Sequence, residues 1–99
     1  MIREIIAATT SAEDSSEVSC FSNNIPATFF ADGLSGAEEI QVQYKIADGT
    51  FVDVYQDGGT LVLTATANIT TVFGPGYYKL IKPETSAETS VSLTSEAHR

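Results

Sequence analysis

Few residues in this chain of 99 could do chemistry. His98 is the one histidine and stands next to the last residue, where a general base is rarely held within reach of a substrate. Cys20 is the one cysteine, so no disulfide can form within the chain, and its alternating surroundings favour a small buried side chain. One histidine and one cysteine do not make a zinc site. We therefore expect no catalytic residues, no cofactor and no enzyme activity.

Acidic residues beside glycines offer the one alternative for a metal. Asp32, Asp48 and Asp57 each precede a glycine, and Asp53 lies between the last two. Loops at one end of a β-sandwich can gather carboxylates around calcium, which takes about six to eight oxygen ligands. Asp-Gly is also the pair that ordinary hairpin turns use. We expect turns and no metal site here, with calcium as the alternative.

The segment 74–79, Gly-Pro-Gly-Tyr-Tyr-Lys, has neither of the glycine spacings of phosphate-binding loops. Its Gly-Pro-Gly part suits a type II turn with Pro75 at the second position and Gly76 at the third. Adjacent residues of a strand point to opposite faces, so one of Tyr77 and Tyr78 is expected in the core. The other is expected at the surface or at an interface.

Strands are the elements that must position these residues, because β-branched, aromatic and hydroxyl side chains are common and alternate with a period of two. Turn-forming residues separate the candidate strands. The candidates are Ile2–Thr9, Glu17–Phe21, Ala27–Ala31, Glu39–Ile46, Thr50–Gln56, Thr60–Ala67, Thr70–Phe73, Tyr77–Lys82 and Ser90–Ser95. This spacing predicts an all-β chain: a single antiparallel β-sandwich or jelly-roll-like domain of about eight short strands over 1–99. Residues 1–16 are a candidate N-terminal arm, within which 10–16 form an acidic loop, and 83–89 are expected to be an exposed loop.

The central hairpin can be predicted in register. A three-residue loop, 47–49, segregates apolar from polar faces, places Gln43 opposite Asp53 and puts Gly49 in the left-handed position of a bulge. The apolar pairs would be Tyr44 with Val52 and Val42 with Val54. Two further inward stripes are expected, one over Leu61, Leu63, Ala65 and Ala67 and one at Val91 and Leu93. The predicted core residues are Val42, Tyr44, Val52, Val54, Leu61, Leu63 and Leu80.

A net charge of −8 excludes two classes of partner. Nucleic acids and anionic membrane surfaces both attract clustered lysine and arginine, of which the chain has 5 against 13 acidic residues. No signal-peptide core and no run of about 20 apolar residues occurs, so we expect a soluble product made in a reducing cytoplasm. A domain of this size buries only about 60–65% of its unfolded surface, so a partner or an oligomer would stabilise it.

The order of segments from Ala31 to Leu93 resembles small all-β virion proteins of tailed bacteriophages, among them head decoration (cement) and other capsid- or tail-associated proteins. The segments that carry the resemblance are 31–39 (ADGLSGAEE), 40–43 (IQVQ), 48–54 (DGTFVDV), 57–65 (DGGTLVLTA) and 74–80 (GPGYYKL). The resemblance covers about two thirds of the chain. It implies a structural protein of the virion that binds and stabilises a phage capsid.

The expected partner is the major capsid protein or another virion protein, and the expected state is a homo-oligomer, specifically a trimer. The apolar N-terminal stretch, with Ile2, Ile5 and Ile6, could add a strand to a neighbouring sheet. Two alternatives stay open: a carbohydrate-binding or adhesion β-sandwich module, and a tail-associated virion protein. Exposed aromatic residues clustered on one face would favour the carbohydrate-binding module.

Overall fold

The computed structural model describes residues 2–20, 26–56, 59–72 and 76–95. The regular elements of these residues are twelve β-strands, joined by turns and loops. In chain order they are β1 (Ile2–Thr9), β2 (Glu13–Asp14), β3 (Val18–Cys20), β4 (Ala27–Asp32), β5 (Glu39–Lys45), β6 (Phe51–Asp53), β7 (Tyr55–Gln56), β8 (Gly59–Thr60), β9 (Val62–Thr64), β10 (Ile69–Val72), β11 (Gly76–Lys82) and β12 (Thr89–Ser95). None of the described segments forms a helix long and apolar enough to cross a membrane.

Two antiparallel sheets pack face to face, which confirms the predicted β-sandwich. The first is four-stranded, in the order β1-β12-β4-β10, and the second is six-stranded. Alternation within a strand directs every second side chain to the layer between the sheets. In β4, for example, Ala27, Phe29 and Ala31 are buried while their neighbours are not. The buried apolar core is made of Ile6, Val18, Ala27, Phe29, Ala31, Ile40, Val42, Leu63, Val72, Tyr78, Leu80, Val91 and Leu93.

The two long strands β5 and β11 form the centre of the six-stranded sheet, and pairs of short strands flank them. β2 and β3 share the outer edge of β11, while β6 and β9 share the outer edge of β5. Ser15 joins β2 to β3: its N–H donates to the Leu80 carbonyl and its Oγ accepts from the Leu80 N–H, each at 2.9 Å. The prediction of a loop over 10–16 was therefore wrong at Glu13–Asp14, which pair with the end of β11.

The register predicted for the central hairpin is confirmed. Gln43 lies opposite Asp53 and Tyr44 opposite Val52, and the Gln43 amide donates to Asp53 Oδ1 at 3.0 Å. Gly49 has a φ of +91°, as the left-handed bulge position requires. The three-residue loop thus directs the polar pair to the outer face of the sheet and the apolar pair to the face that points towards the other sheet.

Two details of the predicted core were wrong. Val52 is 38% exposed because it lies on an edge strand that the other sheet does not cover. Burial decreases along its cross-strand row, in which Val18 and Tyr78 are buried and Tyr44 is half-buried. The predicted inward stripe stops at Leu63, and both alanines after it are exposed.

β9, the strand that contains Leu63 of that stripe, ends at Thr64 because Thr64 and Ala67 form a turn. Thr64 Oγ1 accepts from the Ala67 N–H at 3.0 Å, and its own N–H donates to the Ala67 carbonyl at 3.1 Å. The other core predictions hold. Val42, Leu63 and Leu80 are fully buried, and Tyr44, Val54 and Leu61 pack against the core as partly buried residues. Val91 and Leu93 are buried, as predicted.

The N-terminal segment and the loop 83–89 are more integrated than the sequence suggests. β1 pairs with β12 of its own chain, and Ile6 is 2% exposed, so residues 2–9 are a strand of the sandwich in this structure. In the loop, Thr85 and Thr89 are buried. Thr85 N–H donates to the Thr10 carbonyl at 3.0 Å, which ties the loop to the end of β1.

Candidate interaction surfaces

Among the described residues, those with catalytic or metal-binding chemistry are not gathered into a site. Asp48 forms an ordinary turn, in which its Oδ1 accepts from the Thr50 N–H at 2.9 Å, and hydrogen bonds from Thr50 lower the pKa of its carboxyl. Within the described ranges no three His, Cys, Asp or Glu side chains are placed to hold a metal ion. Some residues named from the sequence lie outside the part of the chain that the structure describes: the Cys20 side chain, Asp57, His98, Gly74 and Pro75.

One sheet surface combines cations with aromatic rings. On the outer face of the six-stranded sheet, Lys45 lies opposite Phe51, and Lys79 lies opposite Gln43. Tyr77, on the same face of β11, is 41% exposed, in agreement with the prediction that one of the two tyrosines is exposed while Tyr78 is in the core. We call the surface of Lys45, Phe51, Tyr77 and Lys79 the lysine–aromatic face.

The lysines of this face are held over the rings. Lys45 Nζ lies 5.3 Å from the centre of the Tyr77 ring, and Lys79 Nζ lies 5.1 Å from the centre of the Phe51 ring. Both distances are within the range of a cation–π attraction. Lys45 also forms an ion pair with Glu17 at 3.3 Å. The face therefore presents aromatic surface with a lysine over each ring, within a chain that is acidic as a whole.

Lys79 has an acidic neighbour on the strand that flanks β11. Its Nζ lies 4.0 Å from Asp14 Oδ2, and the two side chains are 30% and 55% exposed. A pair this exposed contributes little stability in water. The Lys79 ammonium group has two neighbours, the Asp14 carboxylate and the Phe51 ring.

The outer face of the four-stranded sheet has a different chemistry. Thr28 and Thr71 lie opposite each other with their Oγ1 atoms 2.9 Å apart, and Thr94 continues the same row. The next row places Phe30 beside Ile69, which is 62% exposed. This face carries hydroxyl groups and one apolar pair, at the end of the sheet formed by β10.

A shallow open groove of about 630 Å³ lies where the loop after β4 meets the loop after β11. Glu38 joins the two loops, because its carboxylate accepts from the Ser35 N–H at 3.0 Å and from the Ser86 N–H and Oγ at 2.8 and 3.1 Å. The hydrogen bond from the Ser86 backbone, followed by that from Ser35, lowers the pKa of Glu38. The Glu38 carboxylate therefore holds the two loops together.

Lys82 is a buried polar residue that was not predicted from the sequence. It is 1% exposed, and its Nζ donates to the Ser11 carbonyl at 2.6 Å and to the Pro83 carbonyl at 3.2 Å. The signal was present in the sequence, because Lys82 has the same parity as the inward-facing Tyr78 and Leu80. Its ammonium group is buried but satisfied by the backbone at one end of the core.

Comparison with known proteins shows the fold. No family model matches the chain, and no curated protein sequence matches it. The crystal structure of the SPBc2 prophage-derived protein YomS superposes with a TM-score of 0.64 at 16% sequence identity. The chain is similar in fold to YomS. The alignment covers 97% of this chain and 92% of YomS, so both sheets of the sandwich are included rather than a shared hairpin.

Proposed function

We propose that this chain is a non-enzymatic structural protein of a bacteriophage, which binds the protein shell of the virion as a head decoration (cement) protein. The observation that carries the proposal is the fold shared with a prophage-derived protein over nearly the whole of both chains. The order of strand and turn segments supports the same assignment independently, since it resembles small all-β virion proteins.

The lysine–aromatic face is the proposed contact with the shell. Exposed rings on one face would also suit a sugar, but here a lysine lies over each ring, on the surface against which a sugar would stack. Tyrosine and phenylalanine are enriched at the centres of protein interfaces, where flat rings bury a large area at low entropic cost. Tyr77 and Phe51 supply such rings here, and their lysines are already positioned by the ring contacts. Less side-chain entropy is lost when a positioned group is buried, so more of the contact energy remains for binding.

The acidic net charge is compatible with this role. A charge of −8 keeps the free protein soluble and limits non-specific association before it meets the particle. Lys45 and Lys79 place two positive charges on the contact face, each beside an acidic neighbour, and this pattern of charges favours one orientation of docking. The proposed partner is the major capsid protein or another virion protein. The proposed state is a homo-oligomer, and the trimer expected from the sequence stays a prediction.

Quantitative mass spectrometry of purified particles tests the proposal. Particles from the host that encodes the chain are purified by density gradient, and the copy number of the chain is measured relative to the major capsid protein. A decoration protein is expected at a fixed, high ratio that empty heads without tails retain.

Three other results would replace the proposal. A low copy number that is lost with the tails would assign the chain to the tail. Absence from particles together with specific capture on a glycan array would assign it to the carbohydrate-binding class. Absence from particles without such capture would remove the virion role.

A further inference from the structure

β10 forms one end of the four-stranded sheet with an unused edge. Ile69–Val72 pair with β4 on one side, and among the described residues no strand pairs with the other side. The opposite end of the same sheet is β1, where two register shifts interrupt the ladder and Arg3 and Glu4 add charge. Bulges and charges of that kind protect an edge against further pairing. β10 is a regular strand without either device.

The backbone of β10 is oriented for pairing. The Ala31 N–H donates to the Asn68 carbonyl at 2.9 Å, so this pair is hydrogen-bonded. Hydrogen-bonded and non-hydrogen-bonded pairs alternate along an antiparallel ladder. Thr70 and Val72 therefore bond towards β4, while the N–H and C=O groups of Ile69 and Thr71 point to the free side. The close approach of the Thr28 and Thr71 hydroxyls fits a non-hydrogen-bonded pair at that position.

The charge pattern indicates what can approach this edge. No charged residue occurs between Asp57 and Lys79, and in β4 the one charged residue is the last, Asp32. Two copies of a chain with a net charge of −8 repel each other over most of their surface. At the β10 edge this repulsion is smallest, and the exposed side chain of Ile69 gains from being covered.

We infer that β10 is a self-association edge, at which it pairs antiparallel with β10 of a second copy about a twofold axis. With Thr70 opposite Thr70, Ile69 of each copy lies opposite Thr71 of the other. This register uses every outward backbone group of Ile69 and Thr71, and it joins the two four-stranded sheets into one. The contact is isologous, since each copy presents the same edge. The inference rests on the homo-oligomer part of the proposed function and puts a twofold dimer in place of the trimer expected from the sequence.

Light scattering of the purified full chain over a range of concentrations tests the inference. The mass is expected to rise from the 10.5 kDa of one chain towards twice that value. Ile69→Lys adds charge to the edge. Thr71→Pro removes an outward N–H and leaves the backbone hydrogen bonds to β4 in place, while Thr71→Val is the control for the hydroxyl contact with Thr28 that the proline also removes. Ile69→Lys and Thr71→Pro are each expected to raise the midpoint concentration of association at least ~10-fold, which corresponds to roughly 1.4 kcal/mol. Ala47→Lys, which adds the same charge at the exposed hairpin turn, is expected to associate like the parent chain.

Hydrogen exchange of the parent chain gives a readout that needs no variant. The amides of Ile69 and Thr71 are expected to exchange more slowly as the concentration rises, while those of β1 stay unchanged. A mass that stays at one chain, a trimeric mass, or edge variants that associate like the parent would overturn the inference. The virion proposal is judged on particles instead, so the failure of one is distinguishable from the failure of the other.

Discussion

Gly76 is a position at which the structure requires glycine. Its φ is +153°, and a Cβ built on it would lie 2.6 Å from Tyr44 Oη and 2.8 Å from Tyr44 Cζ. Carbon atoms in favourable contact are about 3.5–4.0 Å apart, so the ring would have to move by about 1 Å. Tyr44 cannot move freely, because its ring packs against Tyr78 with the two centres 5.1 Å apart.

We expect Gly76→Ala to destabilise the fold by about 3–5 kcal/mol, from the backbone conformation, the overpacking and the disturbed tyrosine pair together. Gly36→Ala is the matched control, since Gly36 also has a positive φ, +60°, but nothing lies within 4 Å of its Cβ position. Its expected cost is the backbone part alone, about 1–2 kcal/mol. Urea denaturation followed by circular dichroism measures both.

A double mutant separates the ring contact from the backbone. With Tyr44→Ala in the background the obstructing ring is gone, so Gly76→Ala should cost about 1–3 kcal/mol less than it does alone. If Gly76→Ala costs no more than Gly36→Ala, or if removal of the Tyr44 ring changes nothing, the reasoning from the Gly76–Tyr44 contact is refuted.

Four other features of the structure can be tested on the purified chain: the burial of Leu63, the exposure of Val52, the hydrogen bonds of Glu38 to the two loops, and the response to calcium. Leu63→Ala should lower the free energy of unfolding by about 2–5 kcal/mol, because Leu63 is fully buried, and Val62→Ala on the outer face should cost less than half of that; equal costs in urea denaturation would contradict the assigned faces. Val52→Thr should change stability by less than about 0.5 kcal/mol, since Val52 is 38% exposed; a larger loss in the same assay would place it in the core. The pKa of Glu38 is lowered from its ordinary value of 4.5, so the stability that this carboxylate contributes is present above pH 4.5 and is lost as the pH falls through the lowered pKa. Carboxyl titration by NMR should show that lowered pKa, and Glu38→Gln should remove this part of the acid sensitivity. A Glu38 pKa at or above 4.5 would count against the hydrogen bonds by which this carboxylate joins the two loops. Calcium should leave the melting temperature unchanged, and a rise reversed by a chelator would revive the metal alternative.

The sequence predicted the fold well where alternation is regular. The hairpin register followed from the parity of its residues, because a shift of one position mixes polar Gln43 with apolar Val54. The opposite environments of Tyr77 and Tyr78 followed from the same period of two. In both cases the information is local, so one strand or one turn is enough to decide the outcome.

Tertiary features were less accessible to sequence reasoning. The exposure of Val52 depends on how far the other sheet extends, which no local pattern records. The turn that ends β9 depends on the Thr64 side chain bonding to its own backbone neighbours. Lys82 is buried because the carbonyls of Ser11 and Pro83 converge on its ammonium group, and Ser11 is remote from it in sequence.

The sequence contained the least information about the candidate interaction surfaces. Composition and the expectation of no catalytic residues favoured a binding role, but they did not indicate which face binds. The lysine–aromatic face arises because β11, β5 and β6 bring Tyr77, Lys45 and Phe51 into one row, and three separate segments of the sequence contribute to it. The sequence showed that one tyrosine of the pair would be exposed, but the lysines above the rings could be identified only from the strand order.

The most direct test of the proposed role is cosedimentation of the purified chain with particles from a phage that lacks the gene for it. The parent chain and Tyr55→Ala are expected to bind and saturate, because Tyr55 is 73% exposed but belongs to the separate β7–β8 pair. Tyr77→Ala, which removes a ring from the lysine–aromatic face, is expected to bind at least ~10-fold more weakly, as interface tyrosines do when they are truncated. Equal binding by the two tyrosine variants would contradict the assigned face, and a parent chain that does not bind the particles at all would contradict the proposed function.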